Sequence, residues 1–67
     1  MEDIAKTYYR VSIRTEEVCG TVAYCHYFTD AADFAERTLE IYASCFDTVE
    51  VTISINGNTI RTYRKES

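Results

Sequence analysis

Between Thr48 and Tyr63 the chain commits to a hairpin, and that commitment constrains everything else it can fold into. Val49, Val51, Ile53 and Ile55 alternate with Glu50, Thr52 and Ser54, and the run ends at Asn56-Gly57. Alternation with period two buries one side of a strand and solvates the other. Asn-Gly tolerates the positive φ that a type I′ turn needs at both central positions, so Ile55 is expected to face Asn58. Regular pairing from there places Ile53 opposite Ile60 and Val51 opposite Thr62 on the inner face. It places Thr52 opposite Arg61 and Glu50 opposite Tyr63 on the outer face, each a favourable cross-strand pair.

The preceding segment reads as one amphipathic helix. Asp30, with Thr29 as the alternative, stands where an N-cap belongs, and Asp33 follows at capping-box spacing. Ala31, Phe34, Ala35, Thr38, Leu39, Ile41, Tyr42, Cys45 and Phe46 recur at three- and four-residue spacing as the apolar face. Asp33, Glu36, Arg37, Glu40 and Ser44 take the opposite side. The early acids suit the positive end of the helix dipole, and repulsion between Glu36 and Glu40 opposes them weakly.

Met1 to Ala5 is a polar lead-in. From Lys6 to Thr15, Tyr9, Val11 and Ile13 alternate with Tyr8, Arg10, Ser12 and Arg14, which predicts a first strand. Glu16-Glu17 and the following Gly20 read as a turn, and Thr21 to Phe28 is rich enough in Val, Tyr and Phe for a second strand. Both sides of that second strand are chemically mixed, so its facing stays open. The order is ββαββ in a single domain spanning residues 1–67, an α+β fold with a four-stranded, mainly antiparallel sheet and one helix packed on one face. Two topologies compete: strand order 2-1-3-4, or a parallel contact between the second and third strands through a right-handed crossover.

Sixty-seven residues bury only about 60% of the surface that the unfolded chain exposes, so the core is small. A 46% share of hydrophobic residues, with six Tyr and three Phe, is nonetheless that of a folded chain. No apolar run approaches the roughly 20 residues of a membrane span, and residues 1–15 lack the order of a signal peptide. A soluble cytoplasmic protein is the expectation. Cys19, Cys25 and Cys45 form an odd set, read as reduced thiols serving as small buried hydrophobes. With His26 they lack the spacing of a zinc site, so no metal and no cofactor are expected. The net charge of −4 resides in residues 29–47, which hold five acids and one Arg, while the remainder balances. Such a field favours a basic partner at the helix.

Catalysis is not expected. One His, two Gly and no phosphate-binding loop make a poor inventory, and neighbouring Cys25 and His26 diverge across a strand. The uncovered sheet face is the more informative surface. Regular register would gather Tyr8, Arg10 and Arg14 there with Arg61 and Tyr63, a combination suited to a protein interface or to base stacking. The second strand, without Pro or Lys, could also pair with a copy of itself into a homodimer.

The Asp30-capped helix, the Thr48 to Tyr63 hairpin with Asn56-Gly57, the acidity and the short length together resemble the small proteins of phages and other mobile elements, among them the anti-CRISPR proteins. The resemblance implies a stoichiometric inhibitor that binds a host protein effector, such as a nucleic-acid-binding complex, and occludes its nucleic-acid or assembly surface from within the host cytoplasm. It also implies that Asp30, Asp33, Glu36 and Glu40 meet Lys or Arg on that target. A nucleic-acid-binding module built on Tyr8, Arg10, Arg14, Arg61 and Tyr63 is the alternative, set against the repulsion of the acidic helix.

Overall fold

The structure, a computed structural model, describes residues 8–66; the lead-in and the proposed strand start at Lys6 lie outside the described residues. Strands β1 (Tyr9–Thr15) and β2 (Cys19–Cys25), helix α1 (Phe28–Ala43), and strands β3 (Thr48–Ile55) and β4 (Asn58–Glu66) follow in that order. All neighbours pair antiparallel in the order β2-β1-β3-β4, so the crossover topology is not adopted. Val11, Ile13, Val49, Val51 and Ile53 are buried on one sheet face against Ala31 and Ala35 of the helix. The β1–β3 ladder explains that face directly, because it sets Val11 beside Ile53 and Ile13 beside Val51. β-Branched residues suit this pleated, fully covered position.

The turns follow local chemistry. Asn56 and Gly57 have φ of 55° and 80°, and Ile55 faces Asn58, the type I′ geometry that the dipeptide predicts. At the other hairpin the Thr15 hydroxyl accepts from the Glu17 and Val18 amides at 3.1 and 2.8 Å, while the Thr15 amide donates to the Val18 carbonyl at 2.7 Å. A hydroxyl closing its own turn in this way needs no glycine. Gly20 accordingly lies inside β2, one residue beyond the strand start.

The helix begins earlier than its acidic residues suggest. Tyr27 occupies the N-cap position without a side-chain hydrogen bond, so Asp30 lies within the first turn and does not cap. The reason is tertiary: the Phe28 ring meets Tyr9 edge-to-face at 5.8 Å and lies beneath the Arg61 guanidinium at 5.4 Å. These contacts draw Phe28 into the helix, and the Ala31 amide closes the first turn on the Tyr27 carbonyl at 3.1 Å. The apolar stripe is also narrower than its periodicity implies. Ala31, Ala35 and Thr38 are buried, but Phe34, Ile41 and Cys45 are exposed.

Two bulges re-aim the edge strands. In β4 the register shifts between Ile53 and Ser54, leaving Ile60 as the extra residue. Arg61 then faces Ile53, and Tyr63 faces Val51, on the helix side of the sheet. The predicted pairs Ile53 with Ile60, Val51 with Thr62, Thr52 with Arg61 and Glu50 with Tyr63 do not form, because one inserted residue reverses the facing of every later side chain. In β2 the extra residue is Val22, which lets Val22, Ala23 and Cys25 all approach the core and turns Thr21 and Tyr24 outward. This resolves the mixed patterning of β2.

Ile53→Ala is expected to cost about 2–5 kcal/mol, a large share of what a domain of this size holds. Gly57→Ala should cost about 1–2 kcal/mol through its positive φ alone. Urea unfolding followed by circular dichroism measures both as shifts in midpoint at unchanged slope.

Candidate functional site

Among the described residues two surfaces remain once the core is formed: the sheet face opposite the helix and the back of α1. On the sheet face the ladders set Cys19, Arg14, Glu50 and Arg64 in one row across the four strands. The next row is Thr21, Ser12, Thr52 and Thr62, and the one beyond is Tyr24, Arg10, Ser54 and Thr59. The structure therefore keeps Arg10 and Arg14 on this face but removes Arg61 and Tyr63 from it. Arg64, overlooked in the sequence, takes their place. Its signal was the strand's own charge pattern, since only an inserted residue aligns Arg64 opposite Glu50.

That exchange changes the electrostatics. Arg14 pairs with Glu50 at 3.4 Å and Arg64 with Glu66 at 2.9 Å, so two of the three arginines on this face stand against carboxylates. Shallow hollows of about 220 and 240 Å³ flank the Arg14–Glu50 pair. A backbone of phosphates calls for a run of unopposed cations, and this face supplies a hydroxyl-rich plane on which Arg14 and Arg64 are paired with carboxylates. At one corner Tyr8 meets His26 edge-to-face at 4.4 Å, with the Tyr27 ring 6.3 Å from His26. Arg61 is engaged elsewhere: its guanidinium lies 5.4 Å from the Phe28 ring and 5.8 Å from that of Tyr63, and it donates to the Tyr63 hydroxyl at 3.5 Å. Its role is to tie β4 to the start of α1.

The back of α1 is different in kind. Asp33, Glu36, Arg37, Glu40 and Ile41 line a shallow open depression of about 380 Å³. Asp33 and Arg37 form an i,i+4 ion pair at 2.9 Å, both exposed, which contributes only a few tenths of a kcal/mol and holds the Arg37 charge locally. Asp30 is exposed one turn earlier. Within this acidic setting Ile41 is 65% exposed, and Phe34, two turns before it, is 39% exposed. Three of the acids that the sequence singles out, Asp33, Glu36 and Glu40, thus share this depression with Ile41, a residue that the sequence had assigned to the apolar face.

Among the described residues no group of three His, Cys, Asp or Glu side chains is arranged to hold a metal ion, and no helix is long and apolar enough to cross a membrane. The cysteines are free thiols, but only Cys25 packs against the core; Cys19 and Cys45 are exposed, against the expectation of buried hydrophobes. Burial pushes the Cys25 thiol up, and the Asp30 carboxylate adds to the effect. The raised value keeps Cys25 protonated at neutral pH and makes it a poor nucleophile. Alkylation by iodoacetamide should therefore reach Cys19 and Cys45 before Cys25. Asp30→Asn should accelerate Cys25 only modestly, because burial is the larger cause; peptide mass mapping over time checks the order. The fold favours this neutral thiol, so its contribution to stability is present at low and neutral pH and disappears as pH rises through the folded value. No protein-family model, no curated protein and no solved structure matches this chain, and the functional reading rests on its own surface chemistry.

Proposed function

We propose that this chain is a small non-enzymatic protein-binding module, a stoichiometric inhibitor of the anti-CRISPR kind that occludes a basic nucleic-acid or assembly surface of a host effector. The observation that supports it is the exposed Ile41 set among Asp33, Glu36 and Glu40 on the side of α1 turned away from the sheet. An apolar anchor inside a charged rim is the usual composition of a protein interface: the anchor supplies desolvation, and the rim supplies steering and discrimination. The acids fit a surface rich in Lys and Arg. Nucleic acid as the direct ligand is the weaker reading, because Arg61 and Tyr63 turn toward the helix and the open face pairs Arg14 and Arg64 with carboxylates.

The test is a pull-down from lysate of the host cells, with and without nuclease, using the wild-type chain and Glu36→Lys/Glu40→Lys. The expected result is one stoichiometric protein that survives nuclease with the wild type and is lost with the charge-reversed bait. With the purified target, the same variant should associate more slowly and with a weaker dependence on salt. Recovery of nucleic acid as the main cargo, or equal capture by both baits, contradicts the proposal.

A further inference from the structure

The two edges of the sheet are protected unequally. β4 carries Arg61, Arg64, Lys65 and Glu66 along its length. β2 is a seven-residue strand, CGTVAYC, with no charged residue and no proline. Among the described residues it pairs only with β1, so its other side presents amide and carbonyl groups that no described strand covers. Three exposed apolar side chains lie along the same segment: Val18 immediately before it at 37%, Tyr24 within it at 64%, and Tyr27 just beyond it at 68% exposure. Natural edge strands are ordinarily kept apart by charge, proline or shortness, and β2 has none of these. Its one protective device is the bulge at Val22, which bends the strand and limits the straight run available on either side.

We infer that β2 is a self-association edge, through which two copies of this chain pair antiparallel into one continuous eight-stranded sheet. A second copy is the occupant that the chemistry favours. An uncharged strand meets its own two-fold mate without like-charge repulsion, whereas β4 against β4 would oppose arginines and lysines. The contact is isologous and closes at two subunits, because each copy offers a single such edge. Four of the five acids in residues 29–47 lie on α1 and Asp47 follows it. Asp30 is the one that reaches β2, where it acts on Cys25, and physiological salt screens the repulsion between these exposed charges across a dimer. With the bulge limiting its length, the pairing is concentration-dependent and not permanent. It leaves the back of α1 free, and it stands or fails independently of the effector-binding reading.

Analytical ultracentrifugation of the full chain over a concentration series, with reductant present so that Cys19 and Cys45 cannot cross-link, tests the inference. The wild type should pass from monomer to dimer. Thr21→Lys and, separately, Tyr24→Ser should move the association midpoint to at least about tenfold higher concentration while circular dichroism shows the same folded spectrum. Thr62→Lys in β4 and Glu36→Lys/Glu40→Lys on α1 should leave the midpoint in place. Hydrogen exchange should slow across Cys19–Cys25 as the dimer forms. A wild type that stays monomeric to its solubility limit overturns the inference. So does a dimer lost on Thr62→Lys or on the helix substitutions but kept on Thr21→Lys, or a monomeric chain that takes up only foreign extended peptides.

Discussion

The close approach of α1 to the sheet governs this structure. Ala31 and Ala35 are fully buried and Thr38 nearly so, which presents a narrow strip of small side chains to the β-branched surface of β1 and β3. Small residues at the contact let the helix axis come near enough for Val11, Val49, Val51 and Ile53 to lose all exposure. Larger groups are displaced to the two ends. Phe28, Tyr9, Arg61 and Tyr63 gather at the start of the helix, and Tyr42 stacks on Phe46 at its close, with centroids 6.2 Å apart. The narrow contact also explains why Phe34 and Ile41 are left outside. A helix lying this close on its small residues turns its flanks to solvent.

From that geometry the division of labour follows. One sheet face and one helix strip make the core, and the other sheet face and the back of the helix are left outside it. The bulge at Ile60 decides what the open sheet face contains. It draws Arg61 and Tyr63 onto the helix side, where a guanidinium between two rings gains a cation–π contribution of about 0.5–1 kcal/mol. In exchange it sets Arg64 against Glu50 and Glu66 outside. A face that would have carried unopposed Arg and Tyr becomes nearly neutral, and the strongest local field passes to the acidic back of α1.

The parts of the fold that were legible in the sequence are those set by short-range rules. Asn56-Gly57 forms the turn that its dihedral preferences demand, the alternation of Val11, Ile13, Val49, Val51 and Ile53 marks the buried face, and ββαββ is the element order. The helix start was not legible, because contacts made by Phe28 with residues far away in sequence outweighed the capping signal at Asp30. Nor were the bulges, since Ile60 fits a regular alternation as well as Ile53 does. The disfavoured alternative becomes visible only further along: regular register would have turned Arg64 and Glu66 toward the core side. The acids Asp33, Glu36 and Glu40 were placed correctly on an exposed helix face, but their apolar neighbour Ile41 was assigned to the core by a periodicity wider than the actual contact.

The facing of β4 is the point on which the fold and its surfaces both turn, and nuclear Overhauser contacts from the Arg61 side chain test it most directly. Contacts to the Phe28 and Tyr63 rings, with the Arg61 methylene protons shifted upfield by those rings, are the predicted result. Contacts from Arg61 to Ser12 and Thr52 instead would place it on the open sheet face and contradict the bulged register together with the charge distribution drawn from it.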